Sequence, residues 1–267
     1  MTKAAFRAVR EYFWFYFAFL YFGTVCLACS LISTVLFVVL PGRVATRFGK
    51  RMIHRVFRSF LWLLGATGLA RLDLSALDSL HGDPGLIIAP NHPCLLDAVF
   101  VIAHVPDVAC IMKADIRDNI VLGAGARLAG YIRNDSAMSM VRGAVREVRN
   151  GHPLLVFPEG TRTRRRPVNS FKGGIALIAK RADATLQTVF IETDSPFLSK
   201  GWPLFKKPPL PLVYRARLGR RFHVRGDIKA RIAELEAYYR NELGSATTAE
   251  RLSALAANDS TPPGEAA

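Results

Sequence analysis

Asn91, His92, Pro93, Cys94, Leu95, Leu96 and Asp97 bring an imidazole, a thiol and a carboxylate into one short stretch of chain. Histidine is well suited to take up and return a proton near neutral pH, the work of a general base. It needs an orienting partner. On one regular helix positions 92 and 97 would point apart, at about 100° per residue. They meet only if His92 stands outside the helix and folds back, so that the Asp97 carboxylate fixes the tautomer and stabilises the protonated ring. No serine nucleophile is required when the attacking hydroxyl belongs to the substrate. Cys94 reads either as a nucleophile or, the better reading, as a small packing residue. In the second stretch, Phe157, Pro158, Glu159, Gly160, Thr161 and Arg162, the arginine fork fits a phosphate or carboxylate, and Gly160 lets the backbone come close.

The elements that must position these groups can be read around them. Leu86 to Ala89 is an apolar run behind Asp83, Pro84 and Gly85, the pattern of a buried parallel strand. Pro90 ends it, and Pro93 suits the first turn of a following helix. Leu154 to Phe157 is a second such strand, so both motifs fall at strand C-terminal ends, where open α/β sheets keep their sites. Further strands are expected at Val108 to Met112 and Leu186 to Ile191, with weaker ones near Val213 and Phe222. Helical patterns lie around Leu96 to Ala103, Ile120 to Leu128, Met138 to Val148, Ile175 to Arg181 and Asp227 to Leu243. The alternation predicts an α/β fold, a mainly parallel sheet covered by helices.

Together, Asn91, His92 and Asp97 with Phe157 to Arg162 resemble the motifs of the lysophosphatidic acid acyltransferase (glycerolipid acyltransferase) family, over roughly Leu86 to Val213. The resemblance implies the glycerolipid acyltransferase fold and direct O-acyl transfer, from an acyl carrier protein or coenzyme A thioester to a lipid hydroxyl. His92 would be the base and Asp97 its partner, with no metal, no cofactor and no covalent enzyme intermediate. Lysophosphatidate, converted to phosphatidate, is the default acceptor. The resemblance makes Glu159 part of the acceptor or catalytic site; the other reading is a carboxylate that only holds Arg162. Gly160, Thr161 and Arg162, with Lys172 and Gly173 ahead of the helix at Ile175, are expected to bind substrate. Gly130, Tyr131, Ile132 and Arg133 resemble the block that carries an arginine for the acceptor's phosphate, although Arg133 follows the glycine more closely than usual. In Gln187 to Ile191, Thr188 stands where the family has proline before Val189, in a block thought to shape the substrate pocket. Ser195 to Lys200 followed by Trp202 and Pro203 resembles a subset serving specialised lipids such as aryl polyenes. That is the alternative acceptor class; a non-enzymatic lipid-binding membrane protein is the alternative from outside enzymes.

Composition narrows the partners. The 267 residues carry 36 Lys and Arg against 21 Asp and Glu, a net charge of +15 that suits an anionic surface. Tyr12 to Leu40 is uncharged and long enough to cross a hydrocarbon core of about 30 Å, which selects lipid over nucleic acid. No zinc-finger, basic-zipper or RNA-binding motif is present. Cys26 and Cys29 form a C-x-x-C inside this apolar run, where membrane packing is the expected role. With no A-x-A cleavage site following, the segment reads as a retained anchor, either a single span or a hairpin bent near Gly23. Arg43, Arg47, Lys50, Arg51, Arg55 and Arg58 follow it, which in a bacterium points to the inner membrane with the catalytic domain facing the cytoplasm. From Val44 to Ala66 the pattern is an amphipathic helix lying on that surface, with Phe48, Met52, Val56, Phe60 and Leu63 as its apolar face. The expected organisation is an anchor at 1–70, a catalytic domain at 71–244 and a disordered tail at 245–267.

Overall fold

A computed structural model of the chain describes residues 3–113 and 118–244. The expected tail at 245–267 lies outside the described residues. Among the described residues, seven strands form one sheet: β1 (Ala70–Asp73), β2 (Ile87–Pro90), β3 (Ala109–Lys113), β4 (Ile132–Asn134), β5 (Leu154–Leu155), β6 (Thr185–Glu192) and β7 (Leu212–His223). Their order is β1-β7-β6-β2-β5-β3-β4. β6, β2, β5, β3 and β4 run parallel; β7 is antiparallel to β6, and β1 is parallel to β7. The sheet is thus mainly parallel, as expected. The two weak strands near Val213 and Phe222 are one strand, β7.

Side chains alternate across β2 as a strand buried on both faces requires. Ile88 packs with helices α1 (Lys3–Val39), α2 (Gly42–Ala66) and α3 (Asp97–His104) on one face. Ile87 and Ala89 pack with α5 (Ala137–Arg149), α6 (Gly174–Ala182) and α7 (Ile228–Gly244) on the other. The short helix α4 (Gly123–Leu128) lies on the α1 side, where α2 passes so close that a Cβ on Gly49 would stand 2.6 Å from the Ala129 backbone nitrogen.

The N-terminal helices depart from expectation. α1 runs unbroken through Gly23, so a hairpin bent at that glycine does not form. The chain turns back after α1 instead, at Pro41, whose missing N–H fits the start of α2. Phe15, Ala18, Cys26, Ser30 and Ser33 are buried at helical spacing, a stripe that lies along the catalytic domain. Phe15 meets Phe197 at 5.9 Å between ring centroids, and the Ser30 hydroxyl donates to the Val121 carbonyl at 2.6 Å. The expected membrane face of α2 is largely turned inward too. Phe22 of α1 packs against Phe60 with ring centroids 4.5 Å apart, and Met52 and Val56 line a cavity, while Phe48 stays exposed. Lys50, one of the basic cluster, is buried and paired with Glu147 of α5 at 3.2 Å. α1, α2 and β1 therefore share one core with the domain that follows.

Candidate active site

β2 delivers the first motif to the centre of the sheet, between β6 and β5. Asn91 fixes its exit. The Asn91 amide nitrogen donates to the Ile191 carbonyl at 2.9 Å, and the amide oxygen accepts the Ile191 N–H at 2.7 Å. The turn that follows wraps around a single carboxylate. Asp97 is fully buried; its Oδ2 accepts from His92 Nδ1 at 2.7 Å and from the Cys94 backbone N–H at 2.8 Å, and Oδ1 accepts the Cys94 thiol at 3.1 Å. α3 begins at Asp97 itself, so Pro93 sits in the turn ahead of the helix and not in its first turn. The reason is the carboxylate, which collects donors from the turn while lying at a helix N-terminus that favours negative charge. His92 folds back outside the helix, the arrangement its partnership with Asp97 demanded.

With Nδ1 assigned as the donor to Asp97, Nε2 is left as the acceptor nitrogen of the neutral ring, and His92 lines the cavity. The ring lies flat on Phe157, with centroids 3.8 Å apart and planes 16° apart. Burial, followed by the charge of Asp97, pushes the Cys94 thiol well above its ordinary range. Thiolate is the reactive form, so Cys94 is placed as a buried donor to Asp97 and not as a nucleophile.

Glu159 is buried behind the site. Oε1 accepts the His92 backbone N–H at 2.9 Å and the Thr163 hydroxyl at 2.8 Å; Oε2 accepts the Asn169 N–H at 2.8 Å. Burial raises its pKa, against the pull of those three donors. Its oxygens do not bond Arg162 and Glu159 does not itself line the cavity, so it does not act as a holder of Arg162: it ties the His92 turn to the loop after β5. Thr163 adds a second tie, its N–H donating to the His92 carbonyl at 2.7 Å. Gly160, at φ +68, makes the tight turn between them.

Gly160, Thr161, Arg162 and Lys172 line the same cavity as His92. Arg162 spends Nη1 on the carbonyls of Leu198 at 2.8 Å and Ser199 at 3.0 Å. Gly173 lies outside the cavity lining, at the exposed start of α6. Arg133 is likewise outside it. That arginine sits on the edge strand β4, paired with Asp118 and Asp135 at 3.3 Å each, so it is not assembled with His92. The Gln187 to Ile191 block also misses the lining. Thr188 is buried in β6, where its hydroxyl donates to the Arg220 carbonyl at 2.7 Å beside an irregularity in the β6–β7 register.

The cavity, of about 1240 Å³, is bounded mainly by apolar side chains of α1, α2, α3 and α4 and reaches the cations Lys113, Arg162, Lys172 and Lys200. Sequence reasoning missed Lys113 and met Lys200 only as the end of the Ser195 to Lys200 block, with no binding role. The charges of Lys113, Arg164 and Arg162 push the Lys200 ammonium below its usual range, a sign that these cations face one another. The strand end after Met112 was the available signal for Lys113; for Lys200 the signal was that block. Among the described residues no three His, Cys, Asp or Glu side chains converge as metal ligands would.

Residues 71–192 match the family model described as Acyltransferase. A 1-acyl-sn-glycerol-3-phosphate acyltransferase of Limnanthes douglasii is 26% identical over 204 residues, spanning 72% of this chain and 70% of that protein. The crystal structure of the 1-acyl-sn-glycerophosphate acyltransferase PlsC of Thermotoga maritima shares the fold, with a TM-score of 0.64 at 18% identity over 90% of this chain and 96% of that one. A buried His–Asp pair at a central strand end, the paired motifs and the match over residues 71–192 agree: the chain is an acyltransferase, similar to lysophosphatidic acid acyltransferases of the PlsC type.

Proposed function

We propose that the protein, attached to a membrane through α1, acylates the hydroxyl of a lipid acceptor using a fatty acyl thioester of acyl carrier protein or coenzyme A. One observation carries this reading: the His92–Asp97 pair opens into an apolar cavity large enough for acyl chains and rimmed by cations. His92 Nε2 takes the hydroxyl proton as the oxygen attacks the thioester carbonyl. The new C–O bond forms a tetrahedral intermediate, whose collapse breaks the C–S bond, and the departing thiolate takes the proton back from the imidazolium. Asp97 stabilises the imidazolium between those steps. The donor's carrier is expected to be acyl carrier protein, whose acidic surface would meet a chain of net charge +15.

The cations Lys113, Arg162 and Lys200 favour an acceptor bearing a phosphate, with 1-acylglycerol-3-phosphate, giving phosphatidate, as the first choice. One observation favours a specialised acceptor instead: Arg133 is held by two aspartates. Purified protein should transfer acyl groups to lysophosphatidate in mixed micelles, and the His92→Ala variant should not. No transfer by wild type, with normal phosphatidate but one minor lipid missing from a strain that lacks the protein, would move the assignment to the specialised acceptor. Placement at the cytoplasmic face of an inner membrane rests on the basic residues after α1 and is checked by protease protection of oriented vesicles.

A further inference from the structure

Leu20, Leu27, Leu95, Leu122, Leu204 and Phe205 share two properties: each lines the cavity and each is exposed. They mark an apolar side of its mouth, while the exposed lysines Lys113 and Lys172 mark a charged one. Phe205 is 66% exposed and Leu20 of α1 is 68% exposed. A side of the entrance formed by leucine and phenylalanine is poorly matched to water and well matched to hydrocarbon.

One side of the mouth is the segment 197–207, a strap held at both ends. Its inner end is bound to the site: the Leu198 carbonyl accepts Arg162 Nη1 and the Leu95 N–H, and Leu198 is held at φ +56, which a leucine adopts only when its surroundings impose it. Phe197 packs against Phe15 and Phe19 of α1. Its outer end is tied to α1: the Tyr16 hydroxyl donates to the Phe205 carbonyl at 3.3 Å, and Lys207 pairs with Glu11 at 3.0 Å. Between them, Trp202 Nε1 donates to the Lys206 carbonyl at 3.0 Å, and the Lys206 ammonium lies 5.1 Å from the Trp202 ring. An apolar tip with a tryptophan and lysines behind it is the composition of a segment at a membrane–water boundary.

We infer that the 197–207 strap is a membrane-inserted doorway, with Leu204 and Phe205 in the acyl region of an anionic leaflet and the cavity opening sideways into that leaflet between strap and α1. Charge and continuity fix the occupant: Lys200 and Lys206 suit acidic headgroups, and the tip adjoins the exposed apolar face of α1. A lipid entering here keeps its chain in hydrocarbon throughout. Its headgroup arrives at Arg162 and Lys200, the inner end of the same strap. This inference rests on the membrane attachment proposed above, and its test separates the two.

Full-length protein in a Cys29→Ser background, where the remaining native cysteines are buried, is spin-labelled at Phe205→Cys, Val38→Cys or Lys229→Cys and bound to phosphatidylethanolamine–phosphatidylglycerol vesicles. Val38 is an exposed residue of α1, and Lys229 an exposed residue of α7 on the opposite layer. Labels at 205 and 38 should collide more with oxygen than with a water-soluble nickel chelate, and the label at 229 the reverse. Lipid contact at 38 with water contact at 205 overturns the doorway and leaves membrane attachment standing. Water contact at both positions overturns both.

Discussion

Asp97→Asn isolates charge from geometry, because the amide is close to isosteric with the carboxylate and its partners tolerate the change. An asparagine oxygen can accept from His92 Nδ1 and the Cys94 N–H, as Oδ2 does, while its NH₂ faces the Cys94 sulfur, a weak acceptor. What disappears is the attraction between a buried anion and the imidazolium formed during transfer. With charge centres about 4 Å apart and an effective dielectric of about 20, that attraction is about 4 kcal/mol. The corresponding loss in kcat is roughly 10³-fold. Stability should move by no more than about 1 kcal/mol, seen as a shift of about 2 to 4 °C in Tm for a chain of this size. The assay is initial-rate acyl transfer at saturating donor and acceptor, with circular dichroism melting on the same samples. A folded variant that keeps kcat within about tenfold of wild type would refute the role given to Asp97.

Other perturbations test the rest of the site. Arg162→Lys should lower kcat/KM for an anionic acceptor nearly as much as Arg162→Ala, roughly 30- to 150-fold for a charged hydrogen bond of about 2 to 3 kcal/mol; normal kinetics in both would leave Arg162 as a clamp for Leu198 and Ser199 only. Cys94→Ala should cost about fivefold in kcat or less, and mass spectrometry of wild type during turnover should show no acylated Cys94; a loss above about a hundredfold would restore the nucleophile reading. Glu159 holds its proton to higher pH when folded than when unfolded, so in that window the native state binds more protons and the residue's contribution to stability falls as pH rises. Denaturation across pH 4 to 7 should therefore show the wild-type stability, measured relative to Glu159→Gln, declining with pH; a rising difference would contradict it. Removing residues 1–42 should lower the melting temperature as well as membrane retention, since the buried stripe of α1 leaves with them.

Much of this was legible because it depends on local pattern. Ile87, Ile88 and Ala89 are apolar on both faces, which only a central parallel strand needs, and their placement carried His92 to the right end of the sheet. β1 and β4 were invisible for the converse reason. Ala70–Asp73 has two charged residues in four, and Ile132–Asn134 is three residues long, so neither carries a period. Glu159 could not be assigned from sequence because its three partners lie 67, 4 and 10 residues away, and only the fold says which polar groups are buried together. Arg133 lies away from His92 for a related reason: a motif match reports chain position, whereas Asp118 and Asp135 decide where the guanidinium points.

The N-terminal helix shows how the same residues can satisfy two readings. Its uncharged length and its aromatic crowding describe an element meant for lipid, and Phe13, Phe17, Leu20, Leu31 and Val38 are indeed left exposed. At about 1.5 Å per residue its 37 residues extend about 55 Å, well beyond a hydrocarbon core of about 30 Å. The helix does not need all of that length to cross a bilayer. Phe15, Ala18, Cys26 and Ser30 use the other face to wall the cavity, and Tyr16 and Glu11 hold the strap at its mouth. One helix therefore walls the binding site and is the element proposed to attach the enzyme, so under that proposal attachment and substrate access are linked. A small residue pointing inward on α1 then bears on chain fit as directly as any residue beside His92: enlarging Ala18 to Leu should fill cavity volume and shift preference toward shorter acyl chains, read from competition between thioesters of different length.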